Sequence, residues 1–217
     1  MKKIIAINAS PRTTWNTGSL VREAAKGAKS EGAEVKIFDL YKLEKFTGCI
    51  SCFGCKLPEH QGVCIYQDGL APVLEEIRSA DGLIIGTPNY LGDVSAAFRS
   101  LYERLLFQSL TYQLEPRSYN EHLIPVLFIM TSNCSEDCYS QTGYDKMLEN
   151  YQKKLSGMVG PTKVMVSGDT LQVKDYSRYN WTLFDPKEKM ARHEEIFPED
   201  MRKAFAFGAE MSRCPWE

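Results

Sequence analysis

Five short apolar runs, each divided from the next by a stretch containing helical periodicity, constrain this chain more than any other feature. They are Lys3–Asn8 (KIIAIN), Glu34–Asp39 (EVKIFD), 82–87 (GLIIGT), 124–131 (IPVLFIMT) and 163–167 (KVMVS). Each is too short for a globular helix and suits a strand in a covered parallel sheet. A helix is predicted over 18–30, with Leu20, Val21, Ala24, Ala25 and Ala28 on one face and Gly32 as a stop. Further helices are predicted from a cap at Asp68 to about Ser79, near 95–108, and over Tyr144–Met158. The segment 186–213 reads as a closing helix interrupted around Phe197 and Pro198.

Strands alternating with helices imply an α/β protein of three layers, a parallel sheet with helices on both faces. Right-handed crossovers leave few topologies for five strands, and the flavodoxin-like order 2-1-3-4-5 is the expected one. The 217 residues carry no repeat and no compositional shift, so one domain over 1–217 is expected. The stretch 40–67, after the second strand, has no sustained period, and a loop that long inside a compact domain is generally functional or disordered.

A net charge of −2 with 25% charged residues gives no electrostatic footprint for nucleic acid or an anionic membrane. The apolar run Ile4 to Ile7 is too short for a secretory h-region, and no run reaches membrane-spanning length, so a cytoplasmic location is expected. In a reducing compartment clustered cysteines are more often metal ligands or redox groups than disulfides. There are seven cysteines, an odd number, so they cannot all pair internally.

In an open α/β sheet, ligands bind beyond the carboxyl ends of the strands, at the switch point beside the first strand. The turn after the first strand, ASPRTTWNTGS, leads there into a helix N-terminus, which offers free N–H groups and the positive end of a dipole to a phosphate. Ser10, Asn16, Thr17 and Ser19 add donors and Arg12 a charge; the alternative is a capped helix start beneath a polar surface loop. Neither G-x-x-x-x-G-K-[ST] nor G-x-G-x-x-G is present, which argues against an NTPase and a dinucleotide fold. Across the switch point lies TPNYLGD, shaped by Pro88 and Gly92, with Asn89 and Tyr90 suited to a planar ligand, or else an ordinary helix-capping turn. A third loop, TSNCSEDC, follows the fourth strand; its Cys134 and Cys138 read either as a redox pair or as ordinary thiols.

Cys49, Cys52, Cys55 and Cys64 are spaced C-x2-C-x2-C-x8-C. Three thiols at gaps of two suit a loop wrapped around an iron–sulfur cluster, with the fourth ligand nearby. Zinc remains open, since His60 lies in the same loop, and so do free thiols or a disulfide. His60, His122 and His193 show no ligand spacing among themselves, and Tyr176, Tyr179 and Trp181 fit packing better than a flavin cover.

The segments INASPR, NTGSL, GAEVKIFDL, GCISCFGC and EEIRSADGLIIGTPNYLGDVSAAFRSLYER together resemble the flavodoxin-like NAD(P)H-dependent FMN reductases, and within them the iron–sulfur flavoproteins. The likeness covers 3–108 well, 123–131 moderately, and the tail FPEDMRKAFAFGAEM in outline. It implies FMN as cofactor, NAD(P)H as co-substrate, and an electron acceptor that is quinone-like, azo or iron–sulfur, either a small molecule or a redox protein. It also implies a homodimer or homotetramer. An electron carrier without substrate turnover is the alternative. The resemblance assigns the phosphate to Ser10, Arg12, Asn16, Thr17 and Ser19. It assigns the ring and ribityl contacts to Pro88, Asn89, Tyr90, Leu91 and Gly92, and with them Thr131, Ser132 and Asn133. It maps a [4Fe–4S] cluster onto Cys49, Cys52, Cys55 and Cys64, although the last gap is longer than the usual range. No side chain is expected to act as acid or base.

Overall fold

In the computed structural model, parallel pairing joins five strands in the expected order. The structure describes residues 1–213 and Trp216; Cys214, the seventh cysteine, lies outside the described residues, as does the end of the expected 1–217 domain. The strands are β1 (Lys3–Asn8), β2 (Glu34–Asp39), β3 (Gly82–Tyr90), a two-residue β4 (Asp93–Val94), β5 (Val126–Thr131) and β6 (Thr162–Ser167). The order is β2-β1-β3-β5-β6, with β4 antiparallel to β3. The register sets Ile5 between Lys36 on one side and Leu83 on the other.

Helices cover both faces. On one lie α2 (Ala71–Arg78), α3 (Ala96–Ser109) and α5 (Tyr144–Met158), packed through Phe98, Leu101, Phe128, Tyr151 and Leu155. On the other lie α1 (Asn16–Ser30) and α7 (Phe197–Arg213), packed through Leu20, Ala24, Leu127, Ala204 and Met211. Each fully buried aliphatic or aromatic side chain contributes about 1.5–3 kcal/mol. The α1–α7 contact is so close that a Cβ on Gly27 would lie 2.0 Å from the Phe205 carbonyl oxygen, and one on Gly208 would lie 1.9 Å from that of Ala24. Small residues here are a packing requirement.

Three elements depart from the expected boundaries. β3 runs past Thr87 to Tyr90 and turns back at Leu91 and Gly92, so the expected open loop is a tight hairpin. Asp68 does not cap α2, whose cap position is Leu70; its carboxylate accepts from Leu70 N, Thr47 N and Arg104. The break in the closing helix falls at Ile196, between α6 (Pro186–Glu195) and α7. Pro198 then sits in the first turn of α7, where its missing N–H costs nothing. Short helices complete the described residues: α4 (Tyr139–Thr142), three 3-10 turns within 40–60, and 3-10 turns at Glu136–Cys138 and Tyr176–Arg178. Among the described residues no helix is long and apolar enough to cross a membrane.

Candidate functional site: a strand-end cleft and a four-thiol cavity

At the carboxyl ends of β1, β3, β5 and β6, four loops are tied together by hydrogen bonds. The turn after β1 leads into α1, whose N-terminus has no side-chain cap among the described residues. Ser10 is buried, and its hydroxyl accepts from the Arg12 N–H at 3.2 Å. Asn16 and Thr17 are also buried and have protein partners: Asn16 Nδ2 donates to the Leu171 carbonyl at 2.8 Å, and Thr17 Oγ1 lies 2.7 Å from Thr131 Oγ1. Arg12 is exposed, donates to the Gln172 carbonyl and stands 5.3 Å from the Trp15 ring. Trp15 Nε1 donates to the Leu171 carbonyl at 2.9 Å. Ser19 is half-buried, and its hydroxyl faces the Thr14 carbonyl at 3.4 Å. The expected phosphate residues therefore gather around one helix start. Among them Asn16 and Thr17 brace that start against neighbouring loops.

The β3–β4 hairpin forms the opposite wall. Leu91 takes a positive φ of 55° and Gly92 one of 90°, the primed-turn backbone that a two-residue hairpin demands. Leu91 is fully exposed, and Tyr90 is half-exposed. Burial raises the Tyr90 pKa, and the Arg12 charge opposes it. Asn89 Oδ1 accepts from Gly92 N at 3.0 Å, whereas its Nδ2 is buried with no acceptor among the described residues. Pro88 is buried below it. The hairpin is anchored from behind by Tyr151, whose hydroxyl donates to Asp93 Oδ1 at 2.7 Å; burial and that carboxylate push the Tyr151 pKa up to about 12.

The third loop closes the cleft. Thr131 and Ser132 are buried, and Ser132 Oγ bonds the Cys134 carbonyl and the Tyr139 hydroxyl, both at 2.7 Å. Asn133 is exposed, and its side chain accepts from Gln172. Its carbonyl accepts from the buried Lys189 at 2.8 Å, and Lys189 also pairs with Asp169. Residues 169–172 were not foreseen as part of the site. They act largely through backbone carbonyls, which leave no mark in a sequence. Cys134 and Cys138 are neighbours, and burial, followed by the Cys138 charge, raises the Cys134 pKa, which favours the unreactive thiol.

The cysteine loop packs along α3. Cys49, Cys52, Cys55 and Cys64 line one small cavity, together with Phe53, Arg104, Phe107 and Gln108. All are free thiols. Both arms of the loop bind the same helix: Cys49 N donates to Glu103 Oε2 at 3.3 Å, and Cys64 N to Gln108 Oε1 at 3.1 Å. Lys56 Nζ donates to the carbonyls of Phe107, Gln108 and Leu110, so a cation closes the negative end of the α3 dipole. Ser51 and Phe53 hold positive φ angles of 54° and 58°, a backbone that side chains seldom adopt. Burial raises the Cys55 pKa; Lys56 opposes this, and Cys64 and Cys49 add to it.

Arg104 is a further residue that the sequence did not reveal as part of the site. It is 1% exposed, donates to Asp68 Oδ1 at 2.5 Å and to the Tyr66 carbonyl at 2.7 Å, and its Nε has no partner among the described residues. Burial works against its charge, but Asp68 and Cys64 outweigh that and hold its pKa above the usual arginine value. The available signal was a charge on the apolar stripe of α3, in step with Phe98, Leu101, Leu105 and Gln108. Among the described residues, no three His, Cys, Asp or Glu side chains converge tightly enough for a single metal ion. His60 is exposed in the turn Pro58–His60 of this same loop, whereas His122 faces the Ala80 carbonyl and His193 stacks on Phe197.

The two places are joined through α3. Ser95 caps this helix by accepting from Phe98 N at 3.2 Å and donates to the Ala9 carbonyl, in the first loop, at 2.7 Å. From Ser95 to Arg104 the helix rises about 14 Å.

The family model described as NADPH-dependent FMN reductase matches residues 2–136. An iron-sulfur flavoprotein of Methanocaldococcus jannaschii is 37% identical over 102 residues, covering 47% of this chain and 51% of that protein. One of Archaeoglobus fulgidus is 35% identical over 104 residues, covering 47% and 48%. The chain thus aligns with about half the length of the curated relatives it matches. Among solved structures, an NAD(P)H:quinone oxidoreductase from Methanothermobacter marburgensis superposes with a TM-score of 0.68 at 12% identity, over 98% of both chains. An azoreductase from Bacillus anthracis superposes with a TM-score of 0.66 at 13% identity, over 97% of this chain and 100% of that one. At such identities the likeness is one of fold, and the fold is flavodoxin-like.

Proposed function

The chain belongs to the NADPH-dependent FMN reductase family, and from that premise we propose that it is an FMN-dependent oxidoreductase, passing electrons from NAD(P)H to a quinone-like, azo or iron–sulfur acceptor. The observation that carries this reading is the cleft itself. Four loops from different strand ends surround a helix N-terminus, which among the described residues has no side-chain cap, and Asn89 Nδ2 is a buried donor with no acceptor there. Both features fit FMN. Free N–H groups of the first turn of α1, with the Ser10 hydroxyl, would hold the phosphate, and Arg12 would supply a charge at the rim. Asn16 and Thr17 keep that turn in position through Leu171 and Thr131. The hairpin of Pro88 to Gly92 would wall the ring, with the Asn89 amide as a fixed donor and Tyr90 as an apolar face. Ser132 and Asn133 complete the opposite edge. When bound, FMN supplies hydride acceptance and release of electrons singly or in pairs. The chain orients it and excludes water.

A second centre is supported by the four thiols that line one cavity. Cys49, Cys52, Cys55 and Cys64 would hold a [4Fe–4S] cluster, which supplies one-electron transfer. The relatives named iron-sulfur flavoproteins support the same assignment. The helix α3 would then separate the cluster from the flavin loops by roughly its own length, about 14 Å from Ser95 to Arg104. A homodimer or homotetramer is supported by exposed Ile50, Phe53, Leu57, Tyr112 and Leu114. The test is steady-state NAD(P)H oxidation by the flavin-loaded protein with a quinone and an azo dye. Acceptor-dependent turnover is expected. Bound FMN without turnover on either acceptor would overturn the reductase and leave an electron carrier.

A further inference from the structure

We propose that Arg104 is a positioning residue for the cluster. Its buried guanidinium fixes the segment bearing the fourth cysteine and supplies the positive charge that stabilises the more negative, reduced state of the centre. This rests on the cluster reading above. A guanidinium taken out of water costs several kcal/mol unless it is paired and hydrogen-bonded. Here Asp68 and the Tyr66 carbonyl satisfy one edge, at 2.5 and 2.7 Å, while Nε is buried with no partner among the described residues, and Arg104 is one of the residues that line the thiol cavity. A clamp meant only to hold Tyr66 and Asp68 would not need to stand among four cysteines.

The position also accounts for the long final gap of the motif. Eight residues separate Cys55 from Cys64, too many for one tight wrap. The returning arm is held at two points on consecutive turns of α3. Gln108 takes the Cys64 N–H, and Arg104 takes Tyr66 and Asp68. Arg104 and Gln108 are four residues apart and so lie on one helix face. Four thiolates around an iron–sulfide core carry net negative charge, which grows by one when an electron arrives. A fixed cation beside one ligand therefore favours the reduced form, since net charge and hydrogen bonds to sulfur set the potential of such centres. Arg104 lines the cavity and Asp68 is not among its lining residues, so the guanidinium is the charge of the pair that stands nearer the thiols.

The experiment compares wild type, Arg104→Lys and the double variant Asp68→Asn/Arg104→Gln after anaerobic reconstitution with iron and sulfide. The double variant leaves no orphaned carboxylate, and retained FMN reports its folding. Its cluster should have a more negative reduction potential than wild type and should release iron to a chelator at least ~10-fold faster. Arg104→Lys should keep the potential near wild type, because the charge remains, yet still release iron faster, because the planar fork is lost. Wild-type potential and release rate in both variants would overturn the role. If the double variant loses FMN, the lysine variant decides alone, and unchanged iron release there overturns the proposal. Wild-type protein that binds FMN but no iron would instead overturn the cluster reading itself, and the role with it.

Discussion

The strand-end cleft and the thiol cavity are built in opposite ways. The cleft is made of loops that hydrogen-bond to one another at the ends of four strands, so its shape follows from the sheet. The cavity is made of one long loop laid along the flank of α3, with Glu103, Arg104, Gln108 and the last-turn carbonyls as attachment points. The first is a property of topology and would survive much change in sequence. The second depends on a few side chains of one helix. Ser95 belongs to both, since it caps that helix and holds the first loop.

The largest expected effect separates the two regions. Replacing Cys55 and Cys64 together by serine should abolish iron binding, measured by iron and sulfide content, while FMN content and the melting temperature of the iron-free protein stay as in wild type. Loss of FMN in that variant would mean that the cavity and the cleft are one structure. Next comes their shared residue. Ser95→Ala removes an N-cap and a buried hydrogen bond and should cost about 2 kcal/mol by denaturant titration. It should also weaken both FMN and iron binding. A smaller and local effect is expected from Lys56→Met, about 1–2 kcal/mol from the lost contacts with the α3 terminus. Hydrogen exchange should then rise over 48–64 and leave 87–94 unaltered.

The smallest effect is one of pH. Burial alone would raise the Asp39 pKa, but its bonds to Asn8 and Arg22 outweigh that and hold it below the usual value. Its contribution to stability is therefore complete above the unfolded carboxylate value, about 4, and fades as pH falls through the lower folded value. Asp39→Asn should be less stable than wild type at neutral pH, and the gap should close below about pH 4. A gap that widens in acid would contradict the assignment.

What was legible in the sequence follows the same division. Five apolar runs, each the length of a strand, marked a parallel sheet, whose order is the commonest one for such a set, and the polar turn after β1 identified the helix start. The hairpin at 87–94 was hidden because its turn puts a leucine at positive φ, a choice the residue itself does not suggest. The contribution of Leu171 and Gln172 was hidden because any residue has a carbonyl. Asp68 looked like a cap because it precedes a helix, and only the fold brings Arg104 to it. The four thiols were visible as a motif. What holds them was not, because Glu103, Arg104 and Gln108 are some 40 to 55 residues away in sequence from the cysteines they support.

The central claim is that one chain holds a flavin in the cleft and an iron–sulfur cluster in the cavity. It is tested most directly by a visible spectrum with flavin, iron and sulfide analysis on anaerobically purified and reconstituted protein. The account predicts flavin bands together with about four iron and four sulfide per FMN. Flavin without iron after reconstitution would contradict the cluster, and iron without flavin would contradict the cleft.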